Sequence, residues 1–363
     1  MWRAPYSAGM TAPAPRPRAR EHGLTFGRFP TGTHNALTDV PGVRVGQVTV
    51  WADDDGGIAR TGVTAIVPDG VVSMFERPMA AGMAVLNGAG ELTGSVELQE
   101  WGILESPILL TGTTAVGRAY DALVDEAIDA GIDEPVIPVV GECDDSWLDD
   151  LRRRSVTVAV ARRAVAEATN GPVAEGVVGA GTGMITMGHK GGIGTASRVI
   201  DGLGTVGVLL LCNFGGLADL RLGGVHVGES LARDREAELP PYDTGGSCIG
   251  IVMTDLPLDA RQLHRVARRV GLGLARVGSV AHHGSGDIFA AVSTTNRHDR
   301  DATGLLQVQL LADGSINDVF AAVVDAAEEA VHDALFVADT VSGVAGHVVP
   351  GLPVERVLAL LGR

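Results

Sequence analysis

The dipeptide Gly246-Ser247 is where the residue types of this chain come closest to a reaction that the chain could carry out on itself. The run Pro240-Pro241-Tyr242-Asp243-Thr244-Gly245-Gly246 reads as a turn, and Ser247-Cys248-Ile249-Gly250-Ile251-Val252-Met253 reads as a buried strand. A hydroxyl at the head of a strand, behind a residue that adopts φ > 0 cheaply, can approach the carbonyl that precedes it. Cleavage at that point frees an α-amine with a pKa near ~8, so the nucleophile carries its own base. A plain glycine turn before a strand that begins with Ser accounts for the same residues.

Other groups of suitable type lie elsewhere in the chain. In Ser285-Gly286-Asp287 a hydroxyl and a carboxylate two residues apart on an extended segment face the same way, with a glycine leaving room between them. They could orient the amine and hydroxyl of Ser247, or simply form a turn before the strand expected at Ile288–Ser293. Asn213 ends the apolar run Val208-Leu209-Leu210-Leu211-Cys212. Its carboxamide suits an oxyanion donor and equally suits a cap for the Gly215-Gly216 turn. Glu142 follows the apolar stretch 136–141 and opens an acidic cluster with Asp144, Asp145, Asp149 and Asp150. One carboxylate there can hold a substrate ammonium, and most of the cluster reads as solvated.

Two glycine-rich runs, 179–184 and 190–198, match neither a dinucleotide fingerprint nor a phosphate loop, and read as close backbone approaches. The pair His282-His283 points to opposite sides of an extended segment, so no metal site is expected, and no cofactor.

These residues need elements to position them. Strands are expected at 43–50, 63–67, 108–111, 136–140, 205–212, 247–254, 288–293 and 305–311, and helices at 114–130, 158–168, 259–277 and 316–338. Asp259 reads as the N-cap of the third helix, whose opposite face carries Arg261, Arg265, Arg268, Arg269 and Arg276. Strands and helices do not alternate strictly, so two packed sheets with helices outside, an α+β arrangement, fit better than a doubly wound parallel sheet.

Composition sets outer limits. The 363 residues are 45% hydrophobic and 4% aromatic, so the core is built from Val, Leu, Ile and Ala. A net charge of −16, from 28 basic and 44 acidic residues, disfavours nucleic acid as a partner. No run reaches the length of a membrane span, and Cys143, Cys212 and Cys248 form no C-x-x-C, which suits a reducing, cytoplasmic compartment. Residues 1–22, rich in Pro and Arg without an apolar stretch, read as a disordered leader.

Together these residues resemble the self-processing D-stereospecific and β-peptidyl aminopeptidases, the L-aminopeptidase/D-esterase family. The resemblance runs through N-A-L-T-D-V-P-G-V-R-V-G at 35–46, T-G-V-T-A-I-V-P at 61–68 and N-G-A-G-E-L-T-G at 87–94. It continues through 179–184, 190–198, Asn213-Phe214-Gly215, Gly246-Ser247 and Ser285-Gly286-Asp287. It implies a self-cleaving four-layer αββα sandwich over residues 23–363, cut between Gly246 and Ser247 into chains 23–246 and 247–363 that stay associated and assemble as a tetramer of pairs. It also implies Ser247 as nucleophile, Ser285 and Asp287 as its orienting pair, Asn213 as oxyanion donor and Glu142 as receptor of the substrate amine.

Two positions depart from that pattern. Asp287 stands where Glu is usual, one methylene shorter, and Asp144 stands beside the substrate where some members have a tyrosine donor. The activity expected is release of N-terminal residues from short peptides, amides or esters with a free amine. The alternatives are an acyltransferase related to ornithine acetyltransferases, whose nucleophile is a threonine, and an uncleaved scaffold without chemistry.

Overall fold

A computed structural model describes residues 16–234 and 245–363. The expected turn before Gly245 and residues 1–15 of the expected leader lie outside the described residues.

Two large sheets dominate the described residues, beside three two-stranded ribbons. The smaller joins β1 (Arg44–Asp54), β2 (Gly57–Val67), β5 (Ile108–Gly112) and β6 (Val139–Cys143) in the order β1-β2-β5-β6. The larger contains β3 (Met79–Gly88), β4 (Ile103–Leu104), β7 (Gly192–Ile200), β8 (Gly204–Phe214), β9 (Gly245–Thr254) and β10 (Gly284–Arg297). Its order is β4-β3-β10-β9-β8-β7, with β9 and β10 parallel and the other neighbours antiparallel.

Period-two alternation gives each sheet two apolar faces. One core unites Ile66, Ile108, Leu110 and Val139 of the smaller sheet with Leu209, Leu211, Ile249 and Ile251 of the larger. The residues between these on the larger sheet, Val208, Leu210 and Val252, pack instead with α3 (Ala260–Val277) and α4 (Ile316–Val337). Val63, Ala65 and Leu109 of the smaller sheet pack with α1 (Val116–Asp129) and α2 (Val158–Ala166). The fold is a mixed α+β one.

Asp259 caps α3 through its side chain on the Gln262 N–H, as its position indicated. The arginine face of α3 meets acids of its own chain: Arg261 pairs with Asp313, and Arg276 with Asp325 and Glu328. The glycine runs do bring backbone together. A Cβ on Gly192 would sit 1.9 Å from the Gly176 carbonyl oxygen, and one on Gly194 would sit 1.8 Å from that of Ala330.

Three expectations are corrected. Residues 305–311 form no strand; Leu305 is fully exposed, and the alternating apolar residues find no ladder partner among the described residues. Residues 16–22 are not a disordered leader. Arg16 donates to the Leu352 carbonyl at 2.8 Å, while Arg18 Nε donates to Asp333 and Arg20 Nη2 to Glu329, each at 2.8 Å, so charge straps this segment to α4 at two points. The acidic cluster is not solvated throughout, since Asp145 and Asp149 are 2% and 5% exposed.

Candidate functional site

Strand register assembles the site. Across the antiparallel β8–β9 pair, Asn213 lies opposite Ser247 and Phe214 opposite Gly246. Across the parallel β9–β10 pair, Ser285 is level with Gly246, Gly286 with Ser247 and Asp287 with Cys248. Three segments far apart in sequence therefore deliver their polar residues to one end of the larger sheet.

At the Gly246-Ser247 junction the hydroxyl and the preceding carbonyl lie together. Ser247 is buried, and its Oγ donates to the Gly246 carbonyl oxygen at 2.6 Å, which holds the hydroxyl against the group it would attack. Gly246 sits at φ +125°, a conformation that side chains rarely tolerate, and a Cβ there would lie 2.3 Å from the Asn213 carbonyl oxygen. Any larger residue at 246 would push β8 and β9 apart.

Ser285 Oγ donates to Asp287 Oδ1 at 2.9 Å, and the other carboxylate oxygen, Oδ2, is buried without a hydrogen-bond partner among the described residues. Burial pushes the Asp287 carboxyl up to about 6, against the lowering effect of the Ser285 hydrogen bond. An unmatched acceptor of this kind is suited to an incoming N–H, such as a newly freed amine.

Asn213 does not cap the Gly215-Gly216 turn. Its Oδ1 accepts from the Ile185 N–H at 2.8 Å, which fixes the orientation of the amide, and its Nδ2 donates to the Asp144 carbonyl at 3.0 Å. A carboxamide nitrogen carries two hydrogens, so this pattern leaves one to donate elsewhere.

Glu142 comes from the other sheet. The neighbouring Gly141 permits the approach, since a Cβ there would meet Ile249 Cγ2 at 2.8 Å, two residues beyond Ser247. Glu142 is 4% exposed, with Oε1 accepting from the Glu91 N–H at 2.9 Å and Oε2 from the Thr113 hydroxyl. Burial raises its pKa, and those two hydrogen bonds oppose the rise. The loop between Gly88 and Glu91 joins the halves of the site. A Cβ on Gly90 would touch both Gly286 Cα at 3.1 Å and Glu142 Oε1 at 3.2 Å.

The Asp144 carboxylate accepts from the Ser146 N–H at 2.9 Å, so it is engaged by the turn that follows it. Burial beside Asp149 pushes Asp145 up to about 7, and its carboxylate also accepts a hydrogen bond from Thr61. The carbonyls of His282 and His283 accept from Asn87 Nδ2 at 3.1 and 3.0 Å, and the Ser285 carbonyl accepts from the same nitrogen. Asn87 thus secures the approach to Ser285, a task that its place in the N-G-A-G-E-L-T-G segment did not reveal. Among the described residues, no group of three or more His, Cys, Asp or Glu is placed to hold a metal ion.

Peptidase family S58 matches this chain over residues 35–349. The "Beta-peptidyl aminopeptidase BapA" of Sphingosinicella microcystinivorans is 40% identical over 97% of this chain and 93% of its own length. Among solved structures, a Burkholderia sp. beta-aminopeptidase superposes with a TM-score of 0.88 at 40% identity, covering 95% of this chain and 98% of its own. An L-aminopeptidase D-Ala-esterase/amidase from Ochrobactrum anthropi, described as a variant among the Ntn hydrolase folds, gives 0.87 at 37% identity over 96% of this chain and 98% of its own.

Proposed function

The chain belongs to peptidase family S58, and from that premise we propose that it is a serine aminopeptidase of the N-terminal-nucleophile type that cuts itself before Ser247. One observation carries the reading: the Ser247 hydroxyl lies 2.6 Å from the carbonyl oxygen of a glycine held at φ +125°. In self-cleavage, Ser247 Oγ adds to the Gly246 carbonyl carbon and the C–N bond breaks. Water then hydrolyses the resulting ester, leaving Gly246 as a carboxylate and Ser247 with a free α-amine.

In turnover, the α-amine takes the Oγ proton as Ser247 attacks the substrate carbonyl. The leaving amine or alcohol departs with a proton, and water releases the acyl group. Asn213 and backbone N–H groups hold the oxyanion, while Ser285 and Asp287 orient the amine and hydroxyl of Ser247. Glu142 receives the substrate ammonium. The substrates are short peptides, amides or esters with a free amine.

The sheets and helices form a single domain of four layers, αββα. The chain ending at Gly246 and the chain 247–363 stay paired, and the pairs associate as a tetramer. A cytoplasmic location suits three buried, unbridged cysteines, Cys143, Cys212 and Cys248. Among the described residues, no helix is long and apolar enough to cross a membrane.

A denaturing gel tests the central step. Unmutated protein should run as two bands, and Ser247→Ala, which lacks the attacking oxygen, as one band of 363 residues without aminopeptidase activity. Cleavage before position 247 in that variant would assign the cut to another protease. A single band from the unmutated protein would favour the uncleaved scaffold.

A further inference from the structure

Lys190 is fully buried, and its ammonium donates to three main-chain carbonyls: Gly181 at 3.0 Å, Met184 at 2.6 Å and Gly191 at 2.9 Å. None of these acceptors is a carboxylate. Three hydrogens meet three carbonyls, so the cation is satisfied by dipoles alone, an arrangement more costly to bury than an ion pair of equal geometry. Burial brings its pKa down to about 7. The mechanism above does not use this residue.

Its consequence lies one peptide group away. The carbonyl of the Met184–Ile185 peptide accepts from Lys190, and the N–H of the same peptide donates to Asn213 Oδ1 at 2.8 Å. The Asn213 amide then donates to the Asp144 carbonyl at 3.0 Å. Ammonium, peptide and carboxamide form a continuous line of dipoles aligned in one sense. In such a chain each bond polarises the next, so a positive charge at the head makes the terminal N–H a better donor.

The same contacts fix position. The segment carrying Met184 and Ile185 has no long strand of its own, only the two-residue hairpin arms Ile185–Thr186 and His189–Lys190. Its backbone fits closely against the site, since a Cβ on Gly183 would lie 2.6 Å from Asp145 Cβ. We propose that Lys190 is a positioning residue for the hydrolysis, holding and polarising Asn213 as oxyanion donor through the Met184–Ile185 peptide. This rests on the reading of Asn213 given above, and the test separates the two.

The experiment is a double-mutant cycle of Lys190→Met and Asn213→Ala, read in kcat and KM on fully cleaved protein with an aminoacyl p-nitroanilide, and in the rate of self-cleavage. Loss of an oxyanion donor lowers kcat by about 10²–10³-fold, so Asn213→Ala should fall in that range. Lys190→Met should lower kcat by roughly ~10-fold with KM nearly unchanged, because the oxyanion exists only in the transition state. In the Asn213→Ala background the same substitution should have almost no further effect. Lys190→Gln, which can still serve two of the carbonyls, should lie between Lys190→Met and the unmutated protein.

An equal loss from Lys190→Met in both backgrounds would overturn the proposal while leaving Asn213 in its role. An Asn213→Ala protein with unchanged kcat would overturn the reading of Asn213 itself. If neither Lys190 variant accumulates as folded protein, the residue serves the fold alone, and the proposal is wrong.

Discussion

Glu329 and Asp287 are both carboxylates without solvent exposure, and their pKa values shift in opposite directions. Glu329 lies beneath the Arg16–His22 strap, where it accepts from Arg20, Arg198 and Asn35. Burial would raise its pKa, but the two guanidiniums outweigh burial and hold it below the ordinary range. Asp287, at the strand ends beside Ser247, has the Ser285 hydroxyl on one oxygen and, among the described residues, no hydrogen-bond partner on the other. There burial wins, and the carboxyl rises to about 6. Both regions bury acids. The first pairs Glu329 with two guanidiniums, while the second leaves Asp287 Oδ2 without a hydrogen-bond partner among the described residues. A buried acid that the protein does not itself neutralise points to chemistry more strongly than a buried acid alone.

The largest expected effect tests the structural side of this contrast. Arg198 and Glu329 form a fully buried pair, and removing one partner of such a pair costs about 3–5 kcal/mol. Arg198→Met, placed in the uncut Ser247→Ala chain and followed by urea unfolding, should show a loss of that size. The Glu329 contribution is present above its unfolded pKa and lost as pH falls through the folded value, so the deficit should shrink in acid. Turnover per folded molecule, measured in the processed protein, should stay the same. A neutral Arg198→Met would mean that the cluster beneath the strap contributes nothing.

The converse holds for the reactive side. Ser285→Ala and Asp287→Ala should each lower turnover by about 10²-fold or more, because nucleophile and base lose their orienting partners. Stability should change little or improve. The raised Asp287 carboxyl opposes ionisation in the folded state, a penalty that grows from its ordinary value near 3.8 and is complete above about 6. Self-cleavage of the uncut chain should therefore rise with pH around a midpoint near 6, and Asp287→Asn should erase that midpoint. A flat profile between pH 5 and 7 in the unmutated protein would leave Asp287 as a structural residue of β10.

Much of this contrast was legible in the sequence where local chemistry sufficed. Gly246 before Ser247, the two-residue spacing of Ser285 and Asp287, and Asp259 at its N-cap each declare their geometry in adjacent residues. What escaped depends on distant partners. The strands Met79–Gly88 and Gly192–Ile200 were absent from the expected elements because Gly and Ala carry little strand preference. Their small residues admit helix backbone instead: a Cβ on Gly82 would lie 2.3 Å from the His264 nitrogen of α3. The segment 305–311 erred in the opposite sense, for it alternates like a strand but finds no ladder partner among the described residues. Arg18 and Arg20 read as part of a leader because their acids, Asp333 and Glu329, lie about three hundred residues away.

Glu142 gives the smallest expected effect and the sharpest test of specificity. Like Asp287 it is buried enough for burial to raise its pKa, and the groups that shift it include no cation, so a substrate ammonium would supply what the fold withholds. A charge-assisted hydrogen bond in such a site is worth roughly 1.5–3 kcal/mol, or about one to two decades in kcat/KM. An N-acetylated peptide, which has no ammonium, should be cleaved at least that much more slowly than its free-amine form. Glu142→Gln should slow the free-amine peptide by a similar factor and leave the acetylated one almost unchanged, closing the gap between them. Asp144 and Asp145 follow it in sequence, but the first is engaged by the Ser146 N–H and the second is buried with a Thr61 hydrogen bond. Asn at either position should therefore preserve the preference for a free amine. If the unmutated protein cleaved both peptides equally, Glu142 would be a buried acid held only by Glu91 and Thr113, and the chain would be a general amidase whose unneutralised carboxylates serve the nucleophile alone.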